Sequence, residues 1–325
     1  KCVISQTHVY ASLSSLAIRI ALNKRIKVLM PIGGRLVIYK NIDDCMISEV
    51  AIKKNKLNNL LNKNWQKELD IYLSYRRAGK IKGTTAKDAY QKKNDFSKND
   101  RFNSMIKDKK KFSKIGLLAT HCLSDANHAG GNFFFNDFYT HFVETLNIIK
   151  NDLKTLWIIK PHPTSMYYNE EDFIHKEIIK RKLKNVIICP NDVKPNSIIE
   201  IADKIVTCRS TIAIESAILG KKAIICGKNF FTNFGITENC FSFKVYKNKI
   251  LNNKTYNLNR KQILEAKKLF YYFAFKDSFL NSDIIPISNQ IKINIKKNTI
   301  KQKFFENKKL MSIFSKNFKK KKIYG

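Results

Sequence analysis

The sequence is poor in acidic residues and has no long apolar run. It contains 26 Asp and Glu against 61 Lys and Arg, which gives a formal net charge of +35. A membrane-spanning helix needs about 18–20 consecutive apolar residues, and charged residues interrupt the apolar segment from Val206 to Cys226. No secretory signal peptide is recognisable. These absences predict a cytoplasmic protein whose contact with the plasma membrane is at most peripheral, at the inner face.

The excess of basic residues has three interpretations. Lys, Asn and Ile are abundant along the whole chain, so a compositional bias explains the charge without any ligand. An anionic membrane surface is the second interpretation and nucleic acid is the third. The sequence has neither zinc-finger spacing nor an aromatic–basic RNA-binding signature. We therefore expect no specific nucleic acid partner and keep an anionic inner-membrane surface as a candidate.

The cysteines do not form a disulfide framework. There are 7, an odd number, and none belongs to a Cys-x-x-Cys pair. Cys189, Cys208 and Cys226 lie in apolar runs that are typical of buried strands. This pattern predicts free, core-filling thiols in a reducing compartment.

The length of 325 residues suggests two domains. Residues 1–111 are predicted to form a first α/β domain, closed by a linker over 75–111 that is poor in apolar residues. Residues 112–285 follow as a second α/β domain, and 286–325 as a basic tail. The first residue is Lys1 rather than Met, which leaves open that the first domain is incomplete.

Strands alternate with helices in the second domain, which predicts a parallel sheet with right-handed crossovers. Its strand cores are continuously apolar, as expected for strands covered on both faces. Over the whole chain, the predicted strands are 2–5, 25–31, 35–39, 115–120, 156–160, 185–189, 204–208 and 222–226. The predicted helices are 12–22, 55–73, 136–150, 171–182, 197–202, 211–219 and 260–275. In such a sheet, ligands bind beyond the carboxyl ends of the strands.

The first candidate site is Lys160-Pro161-His162-Pro163, directly after a predicted strand. The two prolines restrict the backbone on either side of His162. Its imidazole is suited to donate to a phosphate or to protonate a leaving phosphate, and Lys160 adds positive charge. The alternative is a turn histidine bonded to a backbone carbonyl.

The second candidate is Arg209-Ser210-Thr211, where another strand ends and a helix begins. Helix N-termini bind phosphate through unpaired N–H groups, although Ser210 also qualifies as a simple N-cap. Glu215 lies one turn further, on a mostly apolar helix, which favours a carboxylate with a partner. Gly227 opens an aromatic and Gly-containing loop that either packs on a base or sugar or covers its aromatics beneath it.

The third candidate is the segment from Thr120 to Gly131. Asp125, beyond a strand end, is a candidate general base. His121, Asp125 and His128 are metal ligands by residue type only. Because no ligand spacing supports them, we expect no metal.

Taken together, these segments resemble the capsular polysaccharide biosynthesis glycosyltransferases, which include Kdo-transferring enzymes. The matching pieces run in order from Ile159-Lys160-Pro161-His162-Pro163, through Arg209-Ser210-Thr211 to Glu215, to Gly227–Phe231 and Phe234–Thr237. The resemblance implies a GT-B-like α/β fold, with two Rossmann-like domains that contain parallel sheets. It implies that residues 1–111 are the acceptor-side domain and that residues 112–285 are the nucleotide-sugar-binding domain. It also implies metal-independent sugar transfer from a nucleotide sugar, with a CMP-linked sugar as one candidate, and no other cofactor.

By this resemblance, His162, Ser210 and Thr211 contact the nucleotide phosphate, and Glu215 helps to hold the nucleotide or sugar. Together with the motifs above, this predicts a donor site of Lys160, Arg209, Ser210, Thr211, Glu215 and Gly227, with His162 and Asp125 as catalytic residues. His8, Tyr10 and Arg19 are acceptor-side candidates for a lipid-linked or oligosaccharide acceptor. Two alternatives stay open. One is a polyol-phosphate transferase or nucleotide-sugar epimerase on the same fold, and the other is a non-catalytic basic adaptor for membrane or RNA.

Overall fold

The computed structural model describes residues 2–4, 12–32, 35–41, 54–80, 88–91, 93–107, 111–125 and 133–275. The chain divides into two compact units. One comprises Lys1–Glu49 with Phe275–Gly325, and the other comprises Val50–Ala274.

The first unit contains a three-stranded sheet and one helix. Its elements are β1 (Cys2–Ile4), α1 (Ser12–Asn23), β2 (Lys27–Ile32) and β3 (Arg35–Tyr39). β1 pairs with β2 in parallel, as expected, but β2 and β3 are antiparallel. The expected parallel arrangement does not extend to this pair, because the two residues between β2 and β3 are too few for a crossover connection.

The second unit is built on a six-stranded, fully parallel sheet, which confirms the predicted α/β fold. Its strands are β4 (Lys114–Ala119), β5 (Thr155–Lys160), β6 (Val186–Ile188), β7 (Lys204–Thr207), β8 (Ala223–Ile225) and β9 (Glu238–Asn239). Their spatial order is β6-β5-β4-β7-β8-β9. This is the doubly wound Rossmann order, in which the chain reverses direction across the sheet between β4 and β7.

Helices and short turns surround this sheet. The helices are α2 (Lys54–Leu57), α3 (Trp65–Arg77), α4 (Asp100–Lys107), α5 (Phe138–Ile149), α6 (Glu171–Lys180), α7 (Pro195–Ile201), α8 (Ile212–Ile218), α9 (Phe243–Leu251) and α10 (Arg260–Phe275). Short 3₁₀ turns lie at Asn58–Leu60, Phe96–Lys98, Ser165–Tyr168 and Thr232–Phe234.

Local chemistry explains several helix ends. Asp137 caps α5 by accepting a hydrogen bond from the Thr140 amide at 2.6 Å. Gly220, with φ of +82°, follows the end of α8 as its C′ residue. The predicted helix start at residue 197 is wrong, because Pro195 begins α7 two residues earlier. The Ser197 hydroxyl instead donates to the Lys194 carbonyl at 2.8 Å.

The predicted linker over 75–111 is also wrong in its described parts, which contain α4 and a 3₁₀ turn. Its few apolar side chains are well placed, since Phe102 and Tyr90 are buried. Asn94 pairs with the segment that follows β6, through Asn94 N–H to the Asp192 carbonyl at 2.7 Å. The stretch therefore packs within the same compact unit as the sheet.

One hydrophobic core cluster lies between the sheet and helices α5 and α9. Leu118, Trp157 and Val206 of the sheet pack with Phe142 and Tyr246 of these helices. Gly116 leaves room for the Trp157 ring, because a Cβ at position 116 would lie 2.5 Å from it. The strand-region thiols behave as predicted: Cys189, Cys208 and Cys226 are buried and free.

Candidate functional site

Strand register brings three predicted segments to one level at the carboxyl edge of the sheet. Ala119 of β4 is the register partner of both Lys160 of β5 and Thr207 of β7. Two residues beyond these positions stand His121, His162 and Arg209. Adjacent strands lie about 4.8 Å apart, so side chains at this level are close neighbours. The reversal of strand order between β4 and β7 makes this edge the expected ligand crevice.

The side chains at this level form a compact group, here named the strand-end cluster: His121, Asp125, Phe138, His162 and Arg209. The rings of His121 and Phe138 stack with centroids 3.9 Å apart and planes 7° apart. The rings of His121 and His162 are also nearly parallel, 5.6 Å apart. The Arg209 guanidinium carbon lies 5.2 Å from the Phe138 centroid, a cation–π distance.

The His162 ring is held in one orientation by its own turn. Its backbone N–H donates to Thr120 Oγ1 at 3.1 Å. The Thr164 amide donates to Nδ1 at 3.3 Å, and Thr164 Oγ1 lies 2.8 Å from the same atom. Because Nδ1 accepts a hydrogen bond, the proton of the neutral ring is on Nε2. Burial lowers the pKa of His162, with Asp125 and Glu170 acting against it, so the ring is a neutral Nε2–H donor.

Glu170 anchors the loop that presents His121 and Asp125. Its carboxylate accepts from the Leu123 amide at 2.9 Å, and from the Ser124 amide and hydroxyl at 2.8 Å and 2.6 Å. Three such bonds to one buried carboxylate fix the backbone of this loop. Sequence reasoning missed Glu170, since nothing in its local pattern links it to a loop some 46 residues away.

Arg209 is a buried member of the strand-end cluster rather than a side chain exposed at the helix start. Gly227 lies beside it, and a Cβ at position 227 would be in ordinary van der Waals contact with Arg209 Cβ and Cδ, at 3.4 Å. Asn229 donates to the Arg209 carbonyl at 2.5 Å. Burial lowers the pKa of Arg209, but an arginine keeps its charge at neutral pH. The site therefore contains a fixed, partly desolvated positive charge.

Ser210 and Thr211 follow at the N-terminus of α8, where both are half-buried. The predicted N-cap role of Ser210 is wrong, because α8 begins one residue later and Thr211 is its N-cap, without a side-chain cap hydrogen bond. Ser210 Oγ accepts from the Ile212 amide at 3.4 Å. Their predicted contact with a donor phosphate stays a prediction. The aromatics of the loop after Gly227 are covered rather than presented to a ligand, with Phe230 stacked on Phe273 at 5.1 Å.

Lys160 and Glu215 have other partners in the structure. The buried Lys160 Nζ donates to the Pro190 carbonyl at 3.4 Å. Glu215 accepts from Arg76 Nη2 and from the Tyr90 hydroxyl, each at 2.5 Å. The expectation that Glu215 has a partner is confirmed, while a donor-binding role for either residue stays a prediction.

The acceptor-side candidates belong to the other compact unit, Lys1–Glu49 with Phe275–Gly325. His8 and Tyr10 lie outside the described residues. Arg19 is a half-buried residue of α1 in the first unit. Their roles stay predictions.

The described residues contain neither a metal-ligand cluster nor a membrane-spanning helix. In that part of the chain, no three His, Cys, Asp or Glu side chains gather as metal ligands. None of its helices is long and apolar enough to cross a membrane.

Comparisons with known proteins extend the picture. The chain is similar to two solved structures from Thermosulfurimonas dismutans. For "KpsC, beta Kdo 2,4 transferase" the identity is 15% and the TM-score 0.45, with 82% of this chain and 78% of that chain covered. For "KpsC, beta Kdo 2,7 transferase" they are 16% and 0.40, with 79% and 73% covered. No curated protein matches the sequence.

A family model described as "Capsule polysaccharide biosynthesis protein" matches residues 43–273. The matched range contains the whole parallel sheet and the strand-end cluster. It confirms the family resemblance that the sequence motifs indicated. The chain belongs to the capsule polysaccharide biosynthesis family.

Proposed function

We propose that this protein is a glycosyltransferase of surface or capsular polysaccharide biosynthesis. It transfers a sugar from a nucleotide-sugar donor to a glycan or glycolipid acceptor. Family membership supports the biological role. The observation that carries the chemistry is the row of His162, His121 and Arg209 at the point where the strand order reverses. That crevice is where doubly wound sheets bind nucleotides.

The cluster suits a leaving nucleotide phosphate. Sugar transfer breaks the bond between the anomeric carbon and a phosphate oxygen, so negative charge grows on that oxygen. In the proposal, His162 donates its Nε2–H to it, and Arg209 supplies a fixed positive charge nearby. The hydroxyl groups of Ser210 and Thr211 add further donors in this proposal. Groups held in place before the reaction stabilise such charge without having to reorganise.

The acceptor hydroxyl must lose a proton as it attacks. Asp125 stands beyond the end of β4 with its side chain 51% exposed, which gives a substrate access to it. Asp125 is therefore our candidate for the base that accepts this proton. No step of this scheme requires a metal ion, in keeping with the metal-independent transfer expected from the sequence.

In this proposal, the net charge of the protein bears on where it meets its acceptor. A formal charge of +35 favours contact with anionic lipid at the inner face of the plasma membrane. A lipid-linked acceptor would be met at that surface, while an oligosaccharide acceptor would be met in the cytoplasm.

A nucleotide-sugar screen tests the proposal. The purified protein is heated with CMP-, UDP-, GDP- and ADP-linked sugars, because a bound ligand raises the unfolding midpoint by mass action. The responding donor is then incubated with candidate acceptors, and the products are separated. Release of free nucleotide with sugar transfer supports a glycosyltransferase, whereas transfer of a polyol phosphate or an epimerised donor identifies another activity.

Two variants separate an enzyme from a basic adaptor. His162→Ala is expected to abolish transfer while the protein still folds. His175→Ala is the matched control, since His175 is an exposed histidine on α6 of the same unit. If no donor shifts the midpoint, and His162→Ala behaves like the control in vesicle and RNA binding, the adaptor interpretation replaces the enzyme.

A further inference from the structure

Three helices lie side by side on one face of the parallel sheet and begin at its carboxyl edge. Phe142 of α5, Ile174 of α6 and Tyr246 of α9 belong to one core cluster beneath them. The Tyr246 hydroxyl lies 3.0 Å from Nε2 of His141 on α5, so α5 and α9 are neighbours. Each helix follows a strand of this sheet, β4, β5 or β9, and runs back across it. The three helix N-termini therefore lie at the edge where the parallel strands end.

Each of these helix starts exposes aromatic side chains. Tyr139 near the start of α5 contacts Phe173 near the start of α6, with ring centroids 5.2 Å apart. Tyr167 and Tyr168, in the turn before α6, are 65% and 62% exposed. The exposed group at this edge is here named the aromatic rim, and it comprises Tyr139, Tyr167, Tyr168, Phe173, Phe241 and Phe243.

Helix capping does not explain the exposure of Phe241. Ser242 caps α9 by accepting a hydrogen bond from the Val245 amide at 3.4 Å. An apolar residue directly before such a cap often packs on the fourth residue of the helix, which here is Tyr246. Phe241 nevertheless stays 63% exposed. Single exposed apolar side chains are ordinary, but a group of them at one edge marks an interaction surface.

The charges beside the aromatic rim indicate what this surface contacts. α9 contains no acidic residue. On α6, Glu177 forms an ion pair with Arg181, and Asp172 is an exposed carboxylate. The exposed lysines of the two helices near the rim are Lys176, Lys244 and Lys247. Aromatic rings flanked by an excess of lysine suit the headgroup region of an anionic bilayer.

We propose that the aromatic rim is the surface by which the protein docks on an anionic phospholipid bilayer. This inference rests on the membrane contact in the proposed function and assigns that contact to one edge of the molecule. The aromatic rings enter the headgroup region, and the lysines contact lipid phosphates. Docked in this way, the protein turns the carboxyl edge of its parallel sheet toward the membrane, where a lipid-linked acceptor would be met.

Removal of two rim charges tests the proposal. The full-length protein is sedimented with vesicles of phosphatidylglycerol and phosphatidylcholine at about 0.1 M salt, and its partition coefficient is measured. Lys244→Gln with Lys247→Gln is expected to lower that coefficient about 25-fold, or about fivefold for each lysine. Its Tm should stay near the wild-type value, because both lysines are exposed.

Two lysines at the opposite edge provide a control of equal charge. Lys154 is exposed and directly precedes β5. Lys254, also exposed, follows Asn253, whose carbonyl accepts from Lys114 at the start of β4. The six-residue strands β4 and β5 separate the two edges by about 20 Å, and at this salt concentration charges interact weakly beyond about 10 Å. Lys154→Gln with Lys254→Gln should therefore bind within about twofold of wild type.

The apolar part of the contact has its own pair of variants. Phe241→Ser with Tyr167→Ser should lower the partition coefficient at least about tenfold, because two rings no longer leave water. Leu153→Ser with Ile179→Ser is the control, since these side chains are 76% and 73% exposed. Leu153 precedes β5 and Ile179 lies in the last turn of α6, so both are at the amino edge. This control should bind like wild type.

A fluorescent reporter locates the docked edge directly. The emission of Phe241→Trp, taken as the difference from wild type, should shift to the blue on vesicle binding and be quenched by lipids with brominated acyl chains. Leu153→Trp should show neither change. Quenching of Leu153→Trp alone, or of neither variant, overturns the inference.

The remaining outcomes separate the inference from its rivals. Equal losses in the rim variants and their controls would mean that the net charge of the whole chain, rather than the rim, binds the vesicles. If Lys244→Gln with Lys247→Gln weakens binding to a homopolymeric RNA and leaves vesicle binding unchanged, the surface belongs to nucleic acid and the inference is overturned. Wild-type protein that ignores the vesicles overturns the docking surface and the membrane contact together. None of these measurements uses a sugar donor, so their failure leaves the transferase function standing, and an inactive protein that docks by its rim sustains the inference.

Discussion

The carboxylate of Glu215 and the guanidinium of Arg76 form a buried ion pair, with Arg76 Nη2 2.5 Å from Glu215 Oε1. Only 9% of the Arg76 side chain and 12% of the Glu215 side chain are exposed. Tyr90 donates to the second carboxylate oxygen at 2.5 Å. Burial and Glu215 raise the pKa of Tyr90, so its hydroxyl keeps its proton and remains a donor. The pair thus links α3 to α8, the helix that begins beside the strand-end cluster.

Removal of one member of this pair should destabilise the protein strongly. Arg76→Met leaves the Glu215 carboxylate buried without its counter-charge, and should lower the free energy of unfolding by about 3–5 kcal/mol. Urea unfolding followed by circular dichroism measures the change. Asp95→Asn is the control, because its side chain is 45% exposed and its contact with Lys194 is 3.7 Å. Asp95→Asn should lower the free energy of unfolding by less than about 1 kcal/mol.

A double variant decides between a structural and a ligand role for Glu215. If the pair is structural, Arg76→Met with Glu215→Leu should be more stable than the sum of the single losses predicts. In that case, the donor affinity of each variant should fall only as far as its free energy of unfolding falls. A Glu215→Gln protein of unchanged stability whose donor KM rises would instead support the donor contact expected from the sequence.

Much of the sheet was predictable because its strands are continuously apolar. Runs such as Trp157-Ile158-Ile159 can be buried on both faces only within a covered parallel sheet, and each predicted strand of this unit is present to within about two residues. The described part of 75–111 was not predictable from composition. The few apolar side chains of this stretch pack it against the rest of the unit. Their partners are far away in sequence, as Glu215 is from Tyr90.

The strand-end cluster was partly predictable. The motifs located His162, Arg209 and Asp125 at strand ends, and the structure brings these three together. The central position of His121 was missed because only register shows that it stands between His162 and Arg209 along the edge. Glu170 and Phe138 were missed because both come from helix starts that no local pattern connects to the site.

Loss of the Glu170 carboxylate should lower kcat more than it lowers the stability of the fold. Glu170→Gln replaces one acceptor oxygen by an NH₂ group, which then faces either the Leu123 N–H or the Ser124 N–H and creates a donor–donor conflict. We expect kcat to fall by at least about tenfold, with a stability loss of about 1–3 kcal/mol. Asp172→Asn, an exposed acidic change two residues further on, is the control. Wild-type kcat in Glu170→Gln would show that the loop does not need this anchor.

Acidification should destabilise the protein through its buried histidines. Burial lowers the pKa of His141 to about 3 and that of His121 to about 4, from an ordinary value of 6.5. The unfolded chain therefore binds more protons than the folded chain below pH 6.5. Stability is complete above that pH and falls as the pH drops toward 4, by up to about 1.4 kcal/mol per pH unit for each ring.

The variant His141→Gln isolates one of these rings. Its unfolding free energy, measured by urea titration from pH 7 to pH 5, should depend on pH with about one proton fewer than wild type near pH 5.5. The amide of Gln can still reach the Tyr246 hydroxyl, which lies 3.0 Å from His141 Nε2. His175→Gln on α6 serves as the comparison and should keep the wild-type slope. An unchanged slope in His141→Gln would mean that this ring is not the source of the acid sensitivity.

Two variants can separate the hydrogen-bond donation by His162 from the effect of its ring shape. Because Nδ1 accepts from Thr164 and Nε2 carries the proton, a Gln amide group can take the place of Nε2–H, whereas Phe offers only a ring. We expect His162→Phe to lose about 10²–10³-fold in kcat, as when one donor to a developing oxyanion is removed, and His162→Gln to recover at least part of this loss. Initial rates with saturating donor measure the difference, and Tm shows that both variants fold. Equal losses in the two variants would indicate that His162 acts as a proton donor or through its ring shape, because a hydrogen bond alone is what Gln restores.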